Sequence, residues 1–591
     1  MDSKYQLADD QRLIQNLFDR HAVSTSLSML GVQACLIINS ILAGNFFAAT
    51  GLAVMSVVAP LYSIFAAVGA LVGIGGAILT AYSLGRDDKV AANEDFTCSL
   101  VTCIGLSAVV SVVVLIFENE LLKLFGCTEE LYQLTSEYST VYIAGGLGTA
   151  LFYLPYHFLK LVGKLKVLIF LFAAMAVENF LLDVFFCSIL QMGIAGIAWG
   201  TVLSSILTGI VGILILLRGE ESFSLVRGKF RFSELVKFGT PSALNNISNF
   251  ARFIIMNHLL LAVIGNFGLV IFSVIKSIEY FANIILSGLA QGSTAFVSVL
   301  FQEHDNTSLR RIEKRAHVIG FAFIGVMILG MQIFSAEICK SFGIVNAAEV
   351  AELTRVIDIF AVSLIPSVAC MLLASYYQAA GFTKIASAVI TCRGFILLLI
   401  PAYLLPKFFG ADSIWYSFVM ASVGALFVLA AMVFANRAEN RSSVLLLDLT
   451  AEKFGEFISF SVKNELNDIV ESVHKIENFC TKNILNRTTT LLIKLSIEEI
   501  MILIKDNCVT ESIDVRILIL REDKIILRVR YGGKLFNPVA YYESKQETDP
   551  LALGDALGIA MILNAAVSVN YKHTFGVNNL TVILNYEQEA N

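Results

Sequence analysis

Apolar stretches of about twenty residues or more follow one another from Val23 to Ala435, separated by short polar connections. A helix needs about 20 residues to cross the ~30 Å hydrocarbon core of a bilayer. This pattern therefore leaves little room for any fold other than a bundle of membrane-spanning helices. Spans are predicted near 24–48, 51–82, 96–117, 137–159, 166–190, 194–217, 238–264, 267–299, 316–336, 353–378, 384–405 and 411–435, twelve in all. Some windows exceed about 25 residues, which calls for tilt or for breaks within them. A mean hydropathy of +0.75 over 591 residues excludes a purely soluble enzyme.

The charge density changes at Val444. Before it about one residue in eight is Asp, Glu, Lys or Arg; after it about one in four, the norm for soluble domains. The expected fold is an all-α polytopic membrane protein, twelve transmembrane helices in two six-helix lobes, followed by a small cytoplasmic α/β sandwich. The segments are 1–22 (N-terminal, cytoplasmic), 23–217 (first lobe), 218–237 (cytoplasmic linker), 238–436 (second lobe), 437–443 (linker) and 444–591 (cytoplasmic domain). The net charge of −6 and the lack of long basic runs argue against nucleic acid as a partner. The ten cysteines form no Cys-x-x-Cys pair and read as small buried thiols. The polar start, with Asp9, Asp10, Arg12, Asp19 and Arg20, lacks a signal-peptide layout, and the first apolar run reads as a retained span.

Alternate connections carry the basic residues: Arg86 and Lys89; Lys160 and Lys164; Arg218, Arg227, Lys229, Arg231 and Lys237; Arg310, Arg311, Lys314 and Arg315. Lys and Arg concentrate on the cytoplasmic side, which places both termini and the soluble domain in the cytoplasm. The chain also repeats itself. Gly51-Leu52 with Ser56-Val57 recurs as Gly268-Leu269 with Ser273-Val274; Gly75 recurs as Gly292, Gly163 with Lys166 as Gly381 with Lys384, and Gly193 as Gly410. Every displacement is 217 or 218 residues, so six-span copies share one orientation, with a cavity expected between them.

Ionisable residues inside spans are costly and are functional hypotheses by default. Glu178 to Asp183 lie within span five, and Asn179 and Asp183, four apart, share a helix face. Lys276 and Glu279 on span eight are three apart and able to pair, forming a candidate polar site of the second lobe. Arg252 and His258 on span seven read as structural polar residues. Arg355 and Asp358 open span ten, near enough to the interface to be solvated.

Residues 15 to 440 resemble the multidrug and toxic compound extrusion (MATE) transporters. The resemblance is carried by Gly44-Asn45 through Gly51-Leu52, Pro60, the series Gly69, Gly73, Gly75 and Gly76, and Leu84-Gly85-Arg86-Asp87 with Ala91. In the second copy it is carried by Gly239-Thr240-Pro241, Tyr377-Gln378-Ala379-Ala380-Gly381 and Trp415. The chain is most similar to the bacterial branch that includes the DNA-damage-inducible F-type proteins. That resemblance implies a cation site in the first lobe made of Asn179, Asp183 and Thr201 together with an acid on span one. The last position is Asn39 here, and Asn cannot exchange a proton near neutral pH. Any protonation switch therefore rests on Asp183. The alternative for the same four residues is a hydrogen-bonded packing cluster.

The tail is expected to hold two amphipathic helices near 451–480 and 484–507, strands at Val515–Leu520 and Ile525–Val529, a short helix near 556–564 and a last strand at Leu580–Leu584. It resembles the ATP-binding domain of histidine kinases and anti-sigma-factor serine kinases, through Leu495-Ser496-Ile497-Glu498-Glu499 to Lys505, Gly533, Phe536-Asn537-Pro538, and Gly554 with Leu557-Gly558-Ile559. Glu498 matches that family's general base. Ile502 stands at its metal-binding Asn, Asp506 at a basic position and Tyr531 at the adenine-binding Asp. Ile502 offers no oxygen to a hard cation. The resemblance thus implies a degenerate nucleotide-binding fold, inactive as an ATPase, kept for regulation or for a cytoplasmic protein partner.

The function expected from these readings is secondary efflux of small organic, often cationic, compounds from the cell membrane, coupled to H⁺ or Na⁺. No organic cofactor is expected, and no use of ATP. The alternatives are a membrane-embedded sensor signalling through the tail, and a lipid-precursor flippase of the same superfold.

Overall fold

The computed structural model describes residues 12–85, 88–218, 223–228, 230–302, 306–380, 382–439, 455–483, 485–520, 524–533, 535–548, 557–574 and 577–585. The chain falls into two compact units. One comprises His21–Glu303 and Glu313–Asn436, and the C-terminal domain belongs to the other.

The first unit is helical: α1 (Arg12–Gly85), α2 (Lys89–Ile116), α3 (Glu118–Leu124), α4 (Glu129–Ala144), α5 (Gly146–Leu151), α6 (Tyr153–Leu161), α7 (Leu165–Val184), α8 (Ala195–Leu217), α9 (Phe232–Val263), α10 (Asn266–Gln302), α11 (Asn306–Ile333), α12 (Ser335–Ser341), α13 (Ala347–Ala379), α14 (Thr383–Thr391), α15 (Leu397–Phe409) and α16 (Tyr416–Glu439). Among the described residues, nine helices are long and apolar enough to cross a membrane. That is fewer than the twelve expected, for identifiable reasons. The spans at 24–48 and 51–82 run on as α1 and are separated only by a break at Ala48, whose φ is 52°. The span at 137–159 is interrupted near Gly145 and Phe152 into α4, α5 and α6. The span at 238–264 begins earlier, in α9, which is diluted by Asn245, Asn246, Asn249, Arg252 and Asn257. A π turn at Phe185–Ile189 ends α7, and another at Cys392–Ile396 divides α14 from α15.

The backbone repeats with the sequence. Left-handed or positive-φ residues occur at Ala48 and Gly265, at Gly126 and Gly343, and at Gly193 and Gly410. Each pair is separated by 217 residues. Five of these six are glycine, the residue that enters this region without a Cβ penalty. Gly381, expected to match Gly163, lies outside the described residues, as do Arg86 and Asp87.

Arg231, one of the basic residues of the connection before α9, is held by a buried acid. Its Nε donates to Asp95 Oδ1 at 3.0 Å, a second guanidinium nitrogen reaches Asp95 Oδ2, and that nitrogen also donates to Ser83 at 2.6 Å. Asp95 is 1% exposed. The segment before α9 is further held to α2 by the amides of Ser224 and Val226, which donate to Asn93 and Thr97. Arg355 pairs with Asp412 at 2.7 Å with both side chains exposed, as expected of an interfacial charge.

The C-terminal domain is a five-stranded antiparallel sheet in the order β1-β2-β3-β5-β4, with β1 Gly455–Lys463, β2 Ser512–Leu520, β3 Lys524–Gly532, β4 Ala566–Thr574 and β5 Val577–Asn585. Its helices are α17 (Leu466–Lys482), α18 (Arg487–Asn507), α19 (Pro538–Thr548) and α20 (Leu557–Ala565). Ile513, Val515, Ile517, Ile525, Leu527, Val529, Leu580 and Val582 line one sheet face and form a core with Ile469, Ile476, Ile493, Ile497 and Ile500 from α17 and α18. The next residues along the strands put Asp514 opposite Arg530 and Arg516 opposite Arg528 on the other face.

Three expectations for this domain need correcting. The helix foreseen from 451 starts as strand β1, where Phe460 and Val462 alternate with Ser459 and Ser461 at the strand period of two. Strand β4 was not foreseen. It pairs only with β5 at the sheet edge, and its Ser568 and Asn570 dilute the apolar signal. Helix α19, over a polar stretch, is a further element that the sequence does not signal. Gly554 lies outside the described residues.

Candidate functional site

Helices α7 and α8 approach closely because Gly200 carries no side chain. A Cβ there would lie 1.8 Å from Asp183 Oδ1 and 3.0 Å from the Asp183 backbone nitrogen. Gly31 of α1 does the same against α7, where a Cβ would meet the Phe172 carbonyl oxygen at 2.2 Å. Small residues at such crossings let helix backbones meet in an apolar medium. The result is one buried cluster containing all four residues singled out in the sequence. Asn39 from α1, Asn179 and Asp183 from α7 are each no more than 1% exposed, and Thr201 from α8 is half-buried.

The Asn39 amide is oriented by its neighbours. With its oxygen toward the Thr201 hydroxyl at 2.7 Å, its nitrogen faces Asp183 Oδ2 at 3.0 Å, Asn179 Oδ1 at 3.0 Å and the Cys35 carbonyl at 2.9 Å. Asn179 Nδ2 donates to Asp183 Oδ1 at 3.3 Å. Asp183 is thus a carboxylate met by two amides and by no cation among the described residues.

A small cavity is lined by Leu36, Ser40, Met55, Ser56, Ala59 and Tyr62 of the first copy, and by Phe253, Ser273, Lys276 and Tyr280 of the second. Three of these pairs are repeats of one another at a displacement of 217: Leu36 with Phe253, Ser56 with Ser273, and Ala59 with Lys276. The cavity therefore sits where the two copies face each other. The Tyr62 and Tyr138 hydroxyls lie 2.7 Å apart, and the Tyr62 and Tyr142 rings pack edge to face.

Residues 25–185 match the MatE family model. Over 395 residues the chain is 21% identical to "Multidrug export protein MepA" of Staphylococcus haemolyticus, covering 66% of this chain and 86% of that protein. The protein of the same name from Staphylococcus saprophyticus is 24% identical over 397 residues, with the same coverage. Among solved structures, an inward-facing multidrug resistance MATE family transporter of the MOP superfamily superposes with a TM-score of 0.64 at 18% identity, over 72% of this chain and all of that one. A MOP superfamily transporter from Pyrococcus furiosus, described as having a binding pocket of reverse polarity, gives 0.61 at 18% identity, over 73% and 97%. The membrane unit has the MATE fold.

In the same unit the second-lobe pair is in contact: Lys276 Nζ donates to Glu279 Oε2. Arg252, which reads as structural in the sequence, joins them, 3.9 Å from Glu279 Oε1, while its Nε is buried with no hydrogen-bond partner among the described residues. Lys276 also lies 5.0 Å from the Phe253 ring and 5.4 Å from the Tyr280 ring. His258 instead bonds the Leu124 carbonyl at 2.8 Å, a packing role. Sequence reasoning missed Glu313 of α11. It is fully buried, its carboxylate oxygens have no hydrogen-bond partner among the described residues, and the His317 ring lies 3.7 Å away. The only signal was its place inside the basic stretch Arg310–Arg315, which reads as solvated loop.

In the C-terminal domain the singled-out positions are scattered between core and surface. Ile502 packs against the core and Glu498 is half-buried. Tyr531 is fully buried, its hydroxyl donates to the Phe536 carbonyl at 2.6 Å, and burial pushes its ionisation well above the usual phenol range. Gly533 takes φ +109° after β3, and Gly558 lies in the first turn of α20.

Proposed function

We propose that the protein is a multi-pass plasma-membrane exporter of small organic compounds, driven by an inward gradient of H⁺ or Na⁺ and working by alternating access of its two lobes. The observation that carries this reading is Asp183: a carboxylate held among Asn39, Asn179 and Thr201, in a MATE fold whose curated relatives are named multidrug export proteins. Cation entry and substrate entry would compete for two arrangements of α1, α7 and α8, with Asp183 as the sole group of the four that can take up a proton.

Twelve spans follow when α1 is counted on both sides of Ala48 and the α4–α6 series and α9 are added to the other helices. The distribution of basic residues over the connections supports cytoplasmic termini. The Asn179, Asp183 and Thr201 pattern supports placing the chain near the branch that contains the DNA-damage-inducible F-type proteins, from which Asn39 departs. The C-terminal domain is read as a degenerate nucleotide-binding fold that serves regulation or a protein partner. Ile502 in place of a metal ligand, and a Tyr531 hydroxyl already committed to Phe536, support that reading over ATP hydrolysis.

The test is efflux from cells lacking their main pumps, with fluorescent compounds of both charges, comparing wild type with Asp183→Asn, each with and without an uncoupler. Uncoupler-sensitive efflux that disappears in the variant is expected. Gradient-dependent efflux that survives the substitution would move the coupling site elsewhere, and absence of all efflux from membrane-inserted protein would reject the transport reading.

A further inference from the structure

The cavity's charged lining residue is Lys276, which pairs with Glu279, and behind it stands Arg252, within 3.9 Å of the same carboxylate. Two cationic side chains thus share one carboxylate among the described residues. Guanidinium groups do not lose their protons in proteins, so with Lys276 charged the cluster carries one positive charge in excess. Unbalanced charge in a low-dielectric interior is costly and is relieved by a counter-ion. The first-lobe position equivalent to Lys276 is Ala59, which lines the same cavity and supplies no compensating group. Nor does the rest of the lining: Ser40, Ser56, Ser273, Tyr62 and Tyr280 are neutral donors, and no Asp or Glu is among the lining residues.

We infer that the cavity between the two lobes binds an organic anion, a carboxylate or phosphate headgroup at Lys276 with an apolar or aromatic body against Phe253, Tyr280, Met55 and Leu36. This deepens the efflux reading by naming a substrate class opposite in charge to the cationic compounds expected from the sequence. Its transport part rests on that reading, whereas its binding part does not.

The experiment uses the full chain in nanodiscs of uncharged lipid and two probes sharing one fluorophore, dansylglycine as the anion and dansylcadaverine as the cation, with empty discs as control. Dansylglycine is expected to bind about tenfold or more tightly than dansylcadaverine. Lys276→Gln should remove that preference and Lys276→Glu should reverse it. Ser273→Asp puts a carboxylate three residues before Lys276 on the same helix face without removing the cluster. It should also weaken dansylglycine by about tenfold, which keeps the test decisive if the Lys276 variants misfold.

Tighter binding of dansylcadaverine to wild type, or equal binding unmoved by these variants, overturns the inference. Transport in proteoliposomes then separates the two claims. Anion-selective binding with neither probe transported leaves the inference standing and defeats the efflux reading; transport of dansylcadaverine alone does the reverse. A fluorescent phosphatidate followed across the same bilayers assigns the anion to a lipid headgroup if it moves with Lys276 dependence, and to a soluble solute if only dansylglycine does.

Discussion

Gly200→Ala probes the geometry around Asp183 with one added carbon. A Cβ at residue 200 would lie 1.8 Å from Asp183 Oδ1, against ordinary contact beginning at 3.4 Å, so the oxygen must retreat by about 1.6 Å. Its bond from Asn179 Nδ2 is already 3.3 Å long and cannot stretch that far and survive. Rotating the carboxylate alone does not suffice, because the same Cβ would sit 3.0 Å from the Asp183 backbone nitrogen. Helices α7 and α8 must therefore part. Overpacking of this kind costs roughly 1–3 kcal/mol, and loss of hydrogen bonds in the cluster adds about 1 kcal/mol. Thermal unfolding of the purified full chain should shift down by several degrees, and cation-driven efflux should fall by at least as much as in Asp183→Asn. Gly200→Ala with wild-type melting and wild-type efflux would refute the close α7–α8 contact and with it the placement of Asp183.

Other outcomes follow from buried groups elsewhere. Cys480 is fully buried in the C-terminal domain and its thiol is pushed up to about 12 by desolvation, so thiol alkylation at pH 8 should spare it until denaturant is added; rapid labelling of the folded chain contradicts the core. Glu313→Gln, which removes a buried carboxylate that has no hydrogen-bond partner among the described residues, should hold or raise the melting temperature, and a drop of several degrees would mean that the carboxylate is needed. Isothermal titration of the full chain with Mg-ATP should show no micromolar binding, since Ile502 cannot ligate Mg²⁺; saturable micromolar binding contradicts the degenerate reading.

The sequence was most readable where one physical rule dominated. Hydrocarbon thickness set the helical stretches, and the 217-residue displacement foretold the equivalence that the backbone shows at Gly193 and Gly410 and extends to Ala48 with Gly265 and Gly126 with Gly343. The Asn39, Asn179, Asp183 and Thr201 cluster could be assembled beforehand only through resemblance, because spacing joins Asn179 to Asp183 but is silent about a contact from α1. What escaped was decided by tertiary partners. Arg231 looked like loop charge until Asp95 met it, and Arg252 looked structural until the fold set it beside Glu279. In the C-terminal domain, β1 was lost because its period-two alternation runs directly into the amphipathic α17, and β4 because an edge strand need not be apolar.

The most direct test of coupling through Asp183 is transport by the purified full chain in liposomes under an imposed pH or Na⁺ gradient, with dansylglycine and dansylcadaverine as probes. The account predicts gradient-dependent accumulation of at least one probe by wild type, reduced in Asp183→Asn to the level of protein-free liposomes while the variant melts like wild type. Undiminished gradient-driven accumulation by Asp183→Asn would contradict it.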